Sequence, residues 1–255
     1  GINDWYVVSF VPASSIMARI SNVVRIASGT ILILVVVFLY ILVSFIIAKE
    51  RKQRELERIA FTDELTGMGN WEKLKFQLGP LLALGGLKGH AYVLIDVDNF
   101  RVVNEIAGYT VANQLLKEIA AVLHSAIQND EYAIRIINDR FALLVKCTGP
   151  GSLESRMQTL LHNLGKIQDK AEFGKLKGRP LVFSCGIHVI DDTRTSLDSI
   201  HELATIAHDS IKHAKRSSLA FYDQNMHLAS MRTRELEERF ESALEHGEFC
   251  IHLQP

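Results

Sequence analysis

The chain has 255 residues, room for one ordinary domain with extra segments or for two small ones. A hydrophobic share of 48% with 22% charged residues belongs to a foldable chain and excludes global disorder. Basic and acidic residues number 28 and 29, giving a net charge of −1, so no overall basic field argues for nucleic acid.

Residues 26–48 carry no charge and centre on the run ILILVVVFLYILV. At ~1.5 Å per residue this stretch covers about 35 Å, enough to cross a hydrocarbon core of about 30 Å. Ser28, Thr30 and Ser44 are tolerated because their hydroxyls can bond back to the helix backbone. Lys49, Arg51, Lys52 and Arg54 follow the run, against Arg19 and Arg25 before it. The positive-inside rule then places everything from residue 49 onward in the cytoplasm, in a single-pass protein of the inner membrane. Residues 1–22, with DWYVVSFVP, read as the end of an extracytoplasmic, sensor-like domain: a last strand, then a short helix into the membrane. The chain opens without Met and stops at Pro255 as an apolar stretch begins, so it reads as a piece of a longer protein.

Residues 49–60, KERKQRELERIA, are charged helix formers with Leu56 and Ile59 on one face. They predict a helical stalk that pairs with its twin in a homodimer. Beyond it, 91–98 (AYVLIDVD) reads as a buried strand ending in two aspartates, and 111–127 as a helix. YAIRI and FALLVKC form a β-hairpin about an Asn-Asp break. A helix over 153–167, a strand over 181–190, a helix over 197–215 and a short strand LAFYD complete the domain. The order β, α, β, β, α, β predicts an α/β domain of the ferredoxin-like α+β plan, with long helices covering one sheet face.

Cys147, Cys185 and Cys250 are odd in number, far apart and outside any Cys-x-x-Cys pattern, so they read as reduced thiols. His201, His208 and His213 lie along one helical segment and read as surface or packing residues. The ferredoxin-like plan sets the hairpin tip beside the end of the first strand, where Asp96 and Asp139 could converge. Two such carboxylates repel unless a cation sits between them, and Mg²⁺ there would hold nucleotide phosphates. Asp98 or Asn99 reads as the cap of a helix starting near Phe100.

Three stretches together resemble the GGDEF family, which makes cyclic di-GMP from two GTP molecules. DELTGMGN (63–70) resembles its Asp-x-Leu-Thr-Gly-Leu-x-Asn motif. DVDNFRVVNEIAGYTVAN (96–113) resembles its Asp-x-Asp-x-Phe-Lys-x-x-Asn-Asp-x-x-Gly-His-x-x-Gly-Asp, and IAHDSIKHAK (206–215) its Ala-Asp-x-Ala-Leu-Tyr-x-Ala-Lys helix. The resemblance covers 61–223. Residues 224–255 resemble the helix and first strand that open an EAL phosphodiesterase domain.

The resemblance implies site residues. Asp96, the Val97 carbonyl and Asp139 stand where the family binds metal. Asn104 and Asn113 stand at the guanine contacts, and Lys215 at the phosphate lysine. Asn113 replaces an Asp, and an amide mixes donor and acceptor where a carboxylate accepts twice, so guanine discrimination weakens. Arg101 stands for a Lys, Tyr109 for a His and Leu219 for an Arg. The product-inhibition pair Arg-x-x-Asp would fall on Gln128 and Glu131 and is missing.

The stretch RIINDRF (135–141) occupies the place of the Arg-Tyr-Gly-Gly-Asp-Glu-Phe hairpin. Ile137 and Asn138 replace the glycines and Arg140 replaces the Glu. Asn tolerates positive φ but β-branched Ile does not. A cation at 140 beside the expected metal costs on the order of 1–4 kcal/mol at about 4 Å. Three functions follow: a regulatory domain without cyclase activity that still takes GTP and serves a downstream EAL phosphodiesterase, an active diguanylate cyclase, or a dimerisation scaffold that binds no nucleotide. All three belong to the GTP and cyclic di-GMP pathway.

Overall fold

The computed structural model describes residues 13–176, 178–191, 196–212 and 214–247. The expected N-terminal strand, His213, Cys250 and the expected strand near Pro255 lie outside them. The chain divides into two units, Gly1–Glu57 and Arg58–Pro255.

Helix α1, Ala13–Phe61, carries the apolar run and the charged stalk sequence without a break. Every described residue from 20 to 60 is exposed, Leu34 at 67% and Phe38 at 64% among them. A helix with a charge-free apolar run, every described residue of which is exposed, has the character of a membrane span, and this one is long and apolar enough to cross.

In the second unit five strands form one sheet in the order β2-β3-β1-β4-β5. They are β1 His90–Val97, β2 Tyr132–Ile137, β3 Arg140–Lys146, β4 Phe183–Ile190 and β5 Ser218–Phe221. The central strand β1 runs antiparallel to β3 and β4, and β5 adds parallel to β4 at the edge. The ferredoxin-like order is therefore present, with β5 appended.

Strand β1 is apolar on both faces, and that decides the layering. Ala91, Val93, Ile95 and Val97 join a core with Leu115 and Ile119 of α4 (Tyr109–Ala126) and Leu160 and Leu164 of α5 (Pro150–Gly165). Tyr92 and Leu94 join a second core with Leu74 and Leu78 of α2 (Trp71–Ala83) and Ile200 and Ala204 of α6 (Leu197–Asp209). Helices thus cover both sheet faces, not one. A strand reading as a continuous hydrophobic run is what a sheet buried on both sides requires.

Helix α6 ends at Asp209, short of the expected 215, and α3 (Phe100–Ala107) starts without its expected side-chain cap. Asn99 holds the N-cap position at φ 57° with no capping bond. The Asp98 carboxylate instead accepts a hydrogen bond from Ser184 Oγ at 2.7 Å, fastening the end of β1 to β4. Helix α7, Gln224–Glu245, closes the described chain, capped by Asp223 accepting from the N–H groups of Asn225 and Met226.

One glycine governs how α6 meets the sheet. A Cβ at Gly186 in β4 would lie 2.2 Å from the Ala204 carbonyl oxygen and 2.5 Å from the His208 nitrogen. The helix backbone rests directly on the strand, which is possible only without a side chain there.

Candidate functional site

Strand register builds the site. Ile95 pairs with Phe141, so the next residue along, Asp96, comes beside Arg140 at the hairpin tip. Alternation turns Asp96 to the same face as Tyr92 and Leu94, toward α6. On α6 the buried positions Ile200 and Ala204 continue one turn later to His208. Two segments more than a hundred residues apart therefore meet at one carboxylate.

The distances show what has assembled. Arg140 Nε lies 3.6 Å from Asp96 Oδ2, and His208 Nε2 lies 3.5 Å from the same oxygen. The His208 side chain is fully buried, and its Nδ1 is 2.9 Å from Asp209 Oδ1. With a carboxylate toward each ring nitrogen, both nitrogens favour carrying a proton. Burial opposes the imidazolium, but Asp209 and Asp96 outweigh it and hold His208 above its ordinary pKa. Burial likewise acts to raise Asp96, yet His208, Asp139 and Arg140 hold it below the usual carboxylate range. Asp139 goes the other way. Burial, and then the Asp96 carboxylate beside it, push its carboxyl up to about 7.

Asp96 and Asp139 open onto a cleft of about 1050 Å³ between β1, α3, α4 and the hairpin tip. Val97, Asn104, Asn113, Ile137, Asn138 and Arg140 line it, and Lys212 reaches it from beyond α6. The sequence-derived residues Asp96, Val97, Asn104, Asn113 and Asp139 are thus brought together. Lys215 is not among the residues lining this cleft. With Arg179 it lines an adjoining hollow of about 410 Å³ that shares Asp98 and Asn99 with the cleft wall. His208 and Lys212 were missed in the sequence. The Ile200–Ala204–His208 spacing was the available signal for His208, since it puts the imidazole on the buried stripe.

The tip itself is braced by Arg135. Its Nε and Nη2 both donate to the Asn138 carbonyl, and Nη1 donates to Asp63 Oδ1 at 2.8 Å. Asp63 also accepts from the Thr66 N–H and hydroxyl, so the 63–70 stretch is tied to the hairpin. Asn138 sits at φ 52°, whereas Ile137 stays in the strand with its side chain 61% exposed. At the tip itself positive φ falls on Asn138, a residue type that accepts it.

Residues 60–218 match the family described as Diguanylate cyclase, GGDEF domain. The chain belongs to the GGDEF family. It is 25% identical over 212 residues to the cyclic di-GMP phosphodiesterase PdeR of Escherichia coli, covering 82% of this chain and 31% of that protein. It is 26% identical over 211 residues to the bifunctional diguanylate cyclase/cyclic di-GMP phosphodiesterase MucR of Pseudomonas aeruginosa, covering 80% of this chain and 30% of that one. The chain therefore spans less than a third of these curated relatives. Among solved structures, the coiled coil and GGDEF domain of DgcB from Caulobacter crescentus superposes with a TM-score of 0.60 at 18% identity, over 79% of this chain and 99% of that one. The S helix-GGDEF-EAL structure of Vibrio cholerae LapD gives 0.56 at 18% identity, over 68% of this chain and 39% of that one. Both share the GGDEF fold.

At the place of the family's product-inhibition pair, Glu131 does structural work. Its side chain is fully buried and accepts from Arg156 Nη1 at 2.8 Å and Nη2 at 2.6 Å. It also accepts from the N–H groups of Gln128 and Lys146. This GGDEF domain uses the position to pin the start of its hairpin to α5.

Proposed function

We propose that this chain is part of a membrane-anchored cyclic di-GMP signalling protein whose GGDEF domain binds a guanine nucleotide but does not make cyclic di-GMP. The observation that carries the reading is Arg140 Nε at 3.6 Å from Asp96 Oδ2. Cyclase chemistry needs positive charge delivered by metal to two carboxylates, whereas here a guanidinium already faces one of them. Ile137 and Asn138 add bulk where the family's glycines let backbone approach a triphosphate. Convergence of Asp96, Asn104 and Asn113 on one cleft supports retained nucleotide binding. Asn104 and Asn113 face the base in this reading, and Lys215 serves the phosphate end from the adjoining hollow.

The domain then acts as a regulatory input. Residues 224–255 lead into an EAL phosphodiesterase domain, a reading supported by relatives bearing phosphodiesterase names. The apolar part of α1 anchors the protein in the inner membrane with the GGDEF domain in the cytoplasm, and its stalk pairs two copies.

The test is to incubate the full chain in detergent with Mg²⁺ and GTP, following product by chromatography and binding by calorimetry. GTP binding without cyclic di-GMP is expected. Product accumulating at an ordinary cyclase rate would sink the reading in favour of an active cyclase; absence of binding would leave the scaffold.

A further inference from the structure

The residues expected to hold metal do not suit a divalent cation. A Mg²⁺ ion takes oxygen ligands at about 2.0–2.1 Å in near-octahedral array and repels neighbouring cations. Asp96 Oδ2 already has a guanidinium nitrogen at 3.6 Å on one side and an imidazole nitrogen at 3.5 Å on the other. The His208 ring is fully buried and clamped by Asp209, so it cannot swing away to make room. Among the described residues no cluster of three or more His, Cys, Asp or Glu side chains could hold a metal ion.

The same arrangement does suit an anion. Arg140 is one-third exposed and lines the cleft, and Lys212 lines it as well. We infer that the cleft takes the phosphates of a nucleotide without a divalent cation, with Arg140 and Lys212 supplying the positive charge. The inference rests on the nucleotide-binding reading above and adds to it the independence from metal.

Calorimetry of GTP with the full chain in detergent, at constant ionic strength, separates the two. Affinities in EDTA and in Mg²⁺ are expected to agree. Arg140→Glu is expected to weaken binding in EDTA by about tenfold or more, the loss of one charge-assisted contact, and to regain it with Mg²⁺. Free Mn²⁺ followed by electron paramagnetic resonance should stay undiminished with the wild type and fall with Arg140→Glu. A thermal melt of the variant confirms that it folds. Binding that collapses in EDTA, or one Mn²⁺ taken up per wild-type chain, overturns the inference while leaving the non-cyclase reading intact. Absence of GTP binding under both conditions overturns the inference together with the nucleotide-binding half of the proposed function.

Discussion

Gly186 and His208 are two residues whose roles depend on each other. The missing side chain at 186 lets α6 lie on β4, and that closeness brings the imidazole to Asp96. Gly186→Ala should therefore destabilise the fold by about 3 kcal/mol, the upper part of the usual overpacking range. A chemical-denaturation midpoint measures the loss, and the His208 imidazole resonances should shift as the helix lifts. Little of this was legible beforehand. Asp96 stands out because the end of a buried apolar strand is an unusual place for charge, and Asp139 because the ferredoxin-like plan sets the hairpin tip beside that strand end. His208 does not stand out among ten histidines because Asp96 lies on β1, and only the packing of α6 on the sheet brings the two together. Lys212 lines the cleft and Lys215 the adjoining hollow because α6 ends at Asp209, short of the helix expected to run to 215.

At the level of elements, the hairpin of β2 and β3 is held at both ends by arginine. Arg135 braces the tip, and Arg156 of α5 clamps Glu131 at its base. Burial alone would raise the Glu131 carboxyl, but Arg156 and the N–H groups of Gln128 and Lys146 hold it down at about 2. A carboxyl whose folded pKa lies below its ordinary 4.5 contributes its full stability above that value and loses it as pH falls toward about 2. Arg156→Met leaves the buried carboxylate uncompensated and should cost about 3 kcal/mol at neutral pH. The gap between wild type and variant should narrow as pH is lowered through this window, as read by circular dichroism melts. Equal gaps at neutral and acid pH would show that Arg156 acts by packing alone. The hairpin was legible from its apolar runs about Asn138 and Asp139. The second helical layer, made by α2 and α6, was not, because a continuous apolar strand looks the same whether one face or both are covered.

For the molecule as a whole, the N-terminal helix is its most predictable part. A charge-free run needs no tertiary knowledge to be read as a span, and α1 carries it with every described residue from 20 to 60 exposed. Leu34→Arg together with Leu39→Arg should each cost about 2.5–3.5 kcal/mol of insertion free energy near the middle of the bilayer. Alkaline extraction of membranes is the measurement, and the doubly substituted chain is expected in the soluble fraction. Retention in the pellet would mean that another part of the protein holds it there. The expected helical stalk continues the same helix to Phe61. Nothing in KERKQRELERIA breaks a helix, so the change from apolar to charged sequence at Lys49 marks no element boundary.

The tip at Ile137 and Asn138 also bears on the unfolded chain. Glycine has more backbone freedom to lose on folding than Ile or Asn, so a residue other than glycine at a compatible conformation favours the folded state by roughly 0.4–1 kcal/mol. Ile137 meets that condition in its strand, and Asn138 meets it in part at φ 52° with its carbonyl held by Arg135. Placing glycine at both positions would thus give the loop reach at the expense of conformational order. The tip as it stands favours permanence over suppleness.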